Sequence, residues 1–266
     1  PPVVERRVRQ LPFRHTAALP QFGVHYLDLP AAGAVTLSFA GDTVAPLFPP
    51  PPGAATAWFA PTADESNAQL TLPLDLTGLQ QATLTFDAWY DLEEDWDFAY
   101  LQVSTDGGAT WELLRPAHDT RGEYGPAWNG RSAAEPDARG GWVPESVSLD
   151  AYAGGPVLLR IDVLTDSAIT GQGVALANLQ VPEMPPTAGW PGLVARGFVE
   201  TGPLLPQAWQ LRLIHPGATP RVETLPLDDW NQGTWTVELG PNGGVLVITT
   251  ATPFVADTGD YWLDIR

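Results

Sequence analysis

The amino-acid sequence predicts an all-β protein built from two consecutive β-sandwich units. Apolar and polar residues alternate through most of the chain, as at residues 35–39 and 84–90, and a period of two is that of a half-buried strand. The 28 Pro and 26 Gly residues are spread along the chain as turn formers. We find no stretch with the 3.6-residue period and the caps of a helix.

The first unit is predicted over residues 34–183. Its predicted strands lie at residues 35–39, 70–74, 84–90, 99–103, 111–115, 143–149, 157–164 and 173–181. This number of antiparallel strands in a unit of this size is typical of a two-sheet jelly roll. A polar loop over residues 116–141 lies between the fifth and sixth strands, and such long loops are uncommon unless they are functional or mobile.

The second unit is predicted over residues 193–266, after a Pro- and Gly-rich linker at residues 184–192. Its predicted strands lie at residues 207–214, 221–225, 234–239, 244–250 and 261–265. The sequence Pro-Asn-Gly-Gly at residues 241–244 predicts a hairpin turn. Residues 257–261, Asp-Thr-Gly-Asp-Tyr, have the form of the tyrosine corner, which predicts an immunoglobulin- or fibronectin-like topology.

Residues 1–33 are predicted to form an N-terminal arm or linker. Arg6, Arg7, Arg9 and Arg14 make this segment positive, whereas the whole chain carries a net charge of −18. We interpret it as a connecting segment laid against an acidic body, and a nucleic-acid-binding tail is the alternative. Because the N-terminus has no signal-peptide-like apolar run, we expect either that a signal peptide has been removed or that the chain is an internal piece of a longer protein, and its start at Pro-Pro favours the second.

The composition excludes several classes of chemistry. All 13 cationic residues are Arg, so chemistry that depends on Lys is excluded. The chain has no Cys, which excludes thiol nucleophiles, disulfides and thiolate zinc sites. The 31 acidic residues disfavour nucleic acid as a partner and favour capture of hard cations. No apolar run approaches the ~20 residues that span a bilayer, so no membrane span is predicted.

Motif searches predict no catalytic residue. The chain lacks the HExxH zinc motif, the G-x-S-x-G nucleophile motif and a Gly-rich phosphate loop. Residues 104–111, Ser-Thr-Asp-Gly-Gly-Ala-Thr-Trp, match the Asp-box pattern S-x-D-x-G-x-T-W. In such a turn the Asp accepts hydrogen bonds from N–H groups and the Trp packs beneath, so the motif predicts a hairpin and no activity.

The densest group of carboxylates lies between two predicted strands, at Asp87, Asp91, Glu93, Glu94, Asp95 and Asp97. These groups repel one another unless they are solvated or neutralised by a cation. Three interpretations remain open: a solvated acidic edge, a calcium site, or the paired acid and base of a glycosidase. A second oxygen-rich loop, Asp-Glu-Ser-Asn, occupies residues 64–67.

Three stretches together, residues 64–79, 82–114 and 141–182, resemble a known family. They are similar to the non-catalytic region that follows the catalytic domain in secreted bacterial metallopeptidases of the immune inhibitor A family. The resemblance is best over residues 56–183 and implies a MAM-like jelly roll. It also implies a secreted parent metallopeptidase whose zinc domain lies elsewhere in the same polypeptide, with no enzymatic activity in this segment.

The same resemblance implies a structural calcium ion. The jelly rolls of the family hold calcium near the acidic loop after the first strands and near an Asp-Asp-Ile sequence in the last strand. The resemblance implies Asp64, Glu65 and Asn178 as ligands. Ala177 and Asn178 occupy the positions of the family's paired Asp residues. The fallback ligand set is Asp91, Glu93, Asp95 and Asp97. An all-oxygen donor set suits calcium, and no zinc is expected in this segment.

Two functions of different classes follow. The first is an accessory region of a secreted metallopeptidase, whose partners are the catalytic domain of the same polypeptide and a protein or glycan surface. The alternative is a carbohydrate-binding or adhesion module in which Trp89, Trp96 and Trp128 stack on sugar rings. A free-standing hydrolase that uses the acidic residues is a third hypothesis.

Overall fold

The computed structural model describes residues 6–31, 33–133, 141–185 and 189–266. Strands dominate these residues, and the one helical element among them is the three-residue 3₁₀ helix Asp150–Tyr152. The all-β prediction is therefore confirmed. Within the same ranges, no helix has the length and apolar character needed to cross a membrane.

The chain divides into two units, and one of them is discontinuous in sequence. Unit 1 comprises Pro1–Leu47 and Leu204–Arg266, and unit 2 comprises Phe48–Pro203. The first part of unit 1 contains β1 (Arg6–Arg7), β2 (Phe13–Leu19), β3 (Val24–Leu29), β4 (Gly33–Gly41) and β5 (Val44–Pro46). Unit 2 contains β6 (Ala57–Pro61), β7 (Asn67–Asp75), β8 (Thr83–Asp91), β9 (Phe98–Ser104), β10 (Glu112–Leu113), β11 (Thr120–Arg121), β12 (Pro126–Ala127), β13 (Val143–Ser148), β14 (Pro156–Leu164), β15 (Gly173–Gln180), β16 (Val194–Arg196) and β17 (Val199–Thr201). The second part of unit 1 contains β18 (Leu204–Pro206), β19 (Trp209–His215), β20 (Arg221–Leu225), β21 (Gln232–Leu239), β22 (Gly244–Thr250) and β23 (Gly259–Ile265).

Unit 2 is built on two five-stranded sheets. Their strand orders are β10-β9-β14-β7-β16 and β13-β8-β15-β6-β17, and β11 and β12 form a separate short pair. Leu72 and Leu159 of the first sheet and Leu84 and Leu176 of the second belong to one buried core. Alternate residues of a strand point to opposite faces, so the two-residue period of the sequence becomes the apolar layer between the sheets.

Unit 1 is a second sandwich. Its sheets have the orders β2-β23-β4-β21 and β1-β3-β22-β19-β20, with a small β18-β5 pair. Leu37 and Leu263 of the first sheet share a core with Leu27 and Leu246 of the second. Tyr261, from the predicted tyrosine corner, is buried, and its hydroxyl lies 2.8 Å from Nδ1 of His25.

The N-terminal boundary differs from the one that the sequence predicts. Within the arm predicted at residues 1–33, of which residues 1–5 and 32 lie outside the described residues, β2 pairs with β23 and β3 pairs with β22. β4, predicted as the first strand of the jelly roll, pairs with β21 and β23 and so belongs to unit 1. The physical reason is that alternation identifies a strand without identifying its partner, and small residues such as Ala17 weaken the pattern in β2.

The C-terminal boundary of the predicted jelly roll also differs. β16 and β17 pair with β7 and β6, so unit 2 extends to Pro203. Residues 186–188 of the predicted linker lie outside the described residues. Met184 and Trp190 on either side of them pack against the core of unit 2. Part of this Pro- and Gly-rich segment is therefore packed against the sandwich.

The turn predicted at residues 241–244 forms, but it does not close a hairpin. The N–H of Gly243 donates to the carbonyl of Gly240 at 2.9 Å. The strands on either side, β21 and β22, lie in different sheets, so the hairpin prediction is wrong. Gly243 has φ +68°, and a Cβ there would lie 2.1 Å from the carbonyl oxygen of Leu29, so this sharp crossover requires glycine.

We predict that deleting residues 1–33 unfolds unit 1 and leaves unit 2 folded. Without β2 and β3, the strands β23 and β22 each lose a partner strand that pairs with them along almost their whole length. By calorimetry, residues 34–266 should show one melting transition fewer than the full chain, and isolated residues 48–203 should melt cooperatively. Equal numbers of transitions in the truncated and full chains would contradict this organisation.

Candidate metal site

Three segments of unit 2 converge at one end of the first sheet's central strands, because β14 pairs with β7 on one side and with β9 on the other. The last residue of β14, Leu164, lies opposite Asn67 of β7 and Phe98 of β9. The segment that follows β14 therefore meets the segments that precede β7 and β9. The latter two are the oxygen-rich loops at residues 62–66 and 92–97.

Hydrogen bonds connect these three segments. The N–H of Asp166 donates to Oδ1 of Asp97 at 3.1 Å, and the N–H of Glu65 donates to the carbonyl of Asp166 at 2.5 Å. The N–H of Ser66 donates to the Thr165 hydroxyl at 2.8 Å. The two loops that the sequence offers as separate metal-binding alternatives are therefore neighbours, with residues 165–166 between them.

Glu93, Asp97 and Asp166 form a carboxylate cluster in which one oxygen of each lies within 4.8 Å of the others. Asp97 is fully buried, at 0% exposure. Oε2 of Glu93 is also buried and has no hydrogen-bond partner among the described residues. A buried, unsatisfied carboxylate oxygen is costly, so this atom is placed where a cation would be its natural partner.

The pKa values of two carboxylates in the cluster are raised by burial and by the like charges around them. Burial, with the charges of Asp166 and Asp97, raises the pKa of Glu93 above its ordinary value. Burial also raises the pKa of Asp97; the N–H donors of Asp166 and Glu93 oppose this shift, and the charges of Asp166 and Asp64 add to it. Neighbouring charge therefore makes the ionised forms of Glu93 and Asp97 less favourable, and a divalent cation would reverse that effect.

The sequence-predicted ligands divide between this cluster and other places. Asp64 is near enough for its charge to raise the pKa of Asp97. The fallback set contributes Glu93 and Asp97. Asp91 instead accepts a hydrogen bond from Nε of Arg131 at 2.9 Å, and Asp95 is exposed on a turn.

Asp166 was not among the predicted ligands. Its only signal is a polar Thr-Asp-Ser sequence directly after a predicted strand. That signal becomes informative only when the pairing of β14 with both β7 and β9 is known.

Asn178, the third predicted ligand, lies beside Asp87. Its Nδ2 donates to Oδ2 of Asp87 and to the carbonyl of Pro52, both at 2.7 Å. Asp87 is four positions before Asp91 on β8, which is about 13 Å along a strand from the end where the cluster lies. In this orientation the Asn178 amide acts as a hydrogen-bond donor to both oxygens.

Two of the three Trp residues proposed to stack on sugars are core residues. Trp89 and Trp128 are both 0% exposed, so neither ring has a face open to a ligand. Nε1 of Trp128 donates to Oε1 of buried Glu145 at 2.9 Å. Trp96 is 61% exposed on the turn before Asp97 and retains a ring face open to solvent.

The loop predicted at residues 116–141 is fixed at its start by the same Glu145 carboxylate. Of this loop, residues 134–140 lie outside the described residues. Oε2 of Glu145 accepts the N–H groups of Ala117 at 2.6 Å and His118 at 3.2 Å. Together with Trp128, these donors satisfy a buried acid, so the start of the loop is a structural anchor.

The family model described as "Immune inhibitor A-like, MAM domain" matches residues 34–183, more than half of the chain. The chain belongs to this family. Among known proteins, the Pre-pro-metalloprotease PrtV of Vibrio cholerae serotype O1 is 29% identical over 126 residues, which are 47% of this chain and 13% of that protein. Bacillopeptidase F of Bacillus subtilis is 26% identical over 112 residues, 42% of this chain and 7% of that protein. Immune inhibitor A of Bacillus thuringiensis subsp. alesti is 25% identical over 149 residues, 53% of this chain and 20% of that protein.

We predict that E93Q stabilises the metal-free protein at neutral pH. The folded-state pKa of Glu93 is raised above its ordinary value of 4.5, so its ionisation lowers the free energy of unfolding as pH rises above about 4.5. The isosteric amide removes that charge. In EGTA, Tm of E93Q should exceed that of wild type at pH 7, and the difference should vanish near pH 4. A lower Tm for E93Q at pH 7 would contradict the repulsion described here.

Proposed function

We propose that this chain is a non-catalytic accessory region of a longer, secreted bacterial peptidase, and that its MAM-like unit holds a structural calcium ion. Membership of the family supports the accessory role, as do the names of two relatives, a metalloprotease and a peptidase. The chain spans only 7% to 20% of the length of the three relatives described above. It has no HExxH motif, so the chemistry is assigned to another part of the same polypeptide.

The observation that carries the calcium proposal is the orphaned oxygen of Glu93 beside Asp97 and Asp166. The donor set is all oxygen, with no His in the cluster and no Cys in the chain, which favours a hard cation over zinc or copper. Calcium accepts six to eight oxygens in flexible geometry, and two of the three contributing segments are loops. Glu93, Asp97 and Asp166 would hold the ion, and Asp64 lies near enough to add its charge.

Such an ion would have a structural role. It would neutralise carboxylates from the segments before β9 and after β14 and so hold both against the loop before β7. Extracellular calcium modules have Kd values near 10⁻⁴–10⁻³ M, a range that suits a protein that works outside the cell. The partners proposed with this role are the catalytic domain of the same polypeptide and a protein or glycan surface.

Calcium is expected to raise the melting temperature of unit 2. Free calcium at about 100 times Kd stabilises the folded state by about 2.7 kcal/mol, or about 5–10 °C in Tm for a unit of this size. Differential scanning calorimetry in EGTA and in about 10–100 mM calcium, which is about 100 times the Kd range given above, measures the shift. D97N and E93Q should abolish it, because each removes one of the three clustered charges.

The matched control is E94Q. Glu94 is exposed beside the cluster, so this variant has the same change in net charge and should keep the calcium shift. A wild-type Tm that is equal in EGTA and calcium would refute the site and leave the accessory role untouched. Peptidase activity of the purified chain, lost on substitution of one of its own residues, would refute the accessory role.

A further inference from the structure

One end of unit 1 presents an exposed aromatic side chain on each of three loops. The loops are residues 20–23 between β2 and β3, residues 226–231 between β20 and β21, and residues 251–258 between β22 and β23. Phe22 is 72% exposed, Trp230 is 68% exposed and Phe254 is 60% exposed. We call these three residues the aromatic trio. Large exposed aromatic residues concentrated at one end of a sandwich are typical of an interaction surface.

A hydrogen-bond network joins the three loops. Nε2 of Gln21, next to Phe22, donates to Oε1 of Gln207 and to the carbonyl of Asp257, each at 3.1 Å. Nδ2 of Asn231, next to Trp230, donates to the carbonyl of Gln207 at 2.8 Å. Gln207 itself is 4% exposed. The loops that carry the trio are therefore held in place by a buried polar centre.

The backbone at two of the three positions is unfavourable for the residue it carries. Phe22 has φ +59° and Phe254 has φ +63°, in the left-handed region that bulky residues rarely adopt. Glycine would remove this cost, and a polar residue would remove the cost of exposing an aromatic ring. Stability of the unit accounts for neither feature, which favours a role in binding.

The charges around the trio have one sign. Five Asp residues lie on or beside the loops: Asp42, Asp228, Asp229, Asp257 and Asp260. No Arg occurs at residues 20–23, 42–43, 226–231 or 251–260, and the chain has no Lys. Oδ1 of Asp228 accepts the N–H of Trp230 at 2.9 Å, so one carboxylate directly orients the loop that carries Trp230.

We propose that this end of unit 1 binds a positively charged polypeptide segment. Guanidinium and ammonium groups stack on aromatic faces, most strongly on Trp, and nearby carboxylates strengthen their attraction. The same five Asp residues would repel anionic lipid surfaces and acidic glycans. The proposal concerns unit 1 and is independent of the calcium ion proposed for unit 2.

The test is binding of a labelled Arg-Gly octapeptide, (Arg-Gly)₄, to the full chain, measured by fluorescence anisotropy in about 0.15 M salt, where distant surface charges are largely screened. Saturable binding is expected. The triple variant F22S/W230S/F254S keeps the net charge and should bind about tenfold more weakly or worse, because it removes the three stacking surfaces of the trio. D229N should weaken binding by a smaller factor.

The matched control is Y124S/V222S, which removes two other exposed apolar residues and also keeps the net charge. Its affinity should stay within about twofold of wild type, since neither residue lies in the three loops. Circular dichroism and melting curves check the fold, and the single variant W230S replaces the triple variant if the latter unfolds. Absence of peptide binding, binding that ignores the trio, or trio-dependent binding of neutral cellohexaose instead of the peptide would overturn the proposal.

Discussion

The pairing of β14 with two neighbours is the constraint on which the site in unit 2 depends. Leu159 and Ile161 face the core, while Arg160 on the other face lies over the ring of Trp111, with Cζ 3.9 Å from the ring centroid. A shift of one residue would exchange these faces, so the register of β14 is fixed from both sides. With the register fixed, Asp166 follows the strand at a determined place and meets Asp97 there.

Electrostatic repulsion among the carboxylates of this cluster reduces the stability of the metal-free unit 2. Burial and neighbouring charge raise the pKa of both Glu93 and Asp97, and the N–H donors to Asp97 offset only part of the effect. In a chain of net charge −18 without Lys, there are few cations to relieve it; Arg131 is nearby but is engaged with Asp91. Neutral residues at these positions would make the metal-free fold more stable, which is the physical basis of the calcium proposal.

Local features could be predicted from sequence, whereas partners in space could not. The period of two located most of the long strands, because each has one face on a core. The same pattern does not specify which strand lies next to which, so β4 was assigned to the wrong sandwich and β2 was missed. Acidic density is visible in one dimension, so the predicted fallback set Asp91, Glu93, Asp95 and Asp97 contained two members of the carboxylate cluster, Glu93 and Asp97. Calcium binding there stays a prediction. Asp166 was not named because it is far from both in sequence. Trp89 lies on β8, where alternation does not say which face is covered, and Trp128 lies in the predicted loop at residues 116–141, where no alternation indicates burial.

The discontinuity of unit 1 has a consequence for the order in which the protein forms on the ribosome. All strands of unit 2 lie within one continuous stretch, so it can fold as soon as Pro203 has emerged. β2, β3 and β4 are made before unit 2, yet their partners β21, β22 and β23 are made after it. These three nascent strands keep apolar faces and unpaired edges exposed while about two hundred further residues are synthesised, at about 5–20 residues per second. The earliest part of the chain is thus the last to reach its native sheet, and its exposure to chaperones and to misassembly depends on the rate of translation.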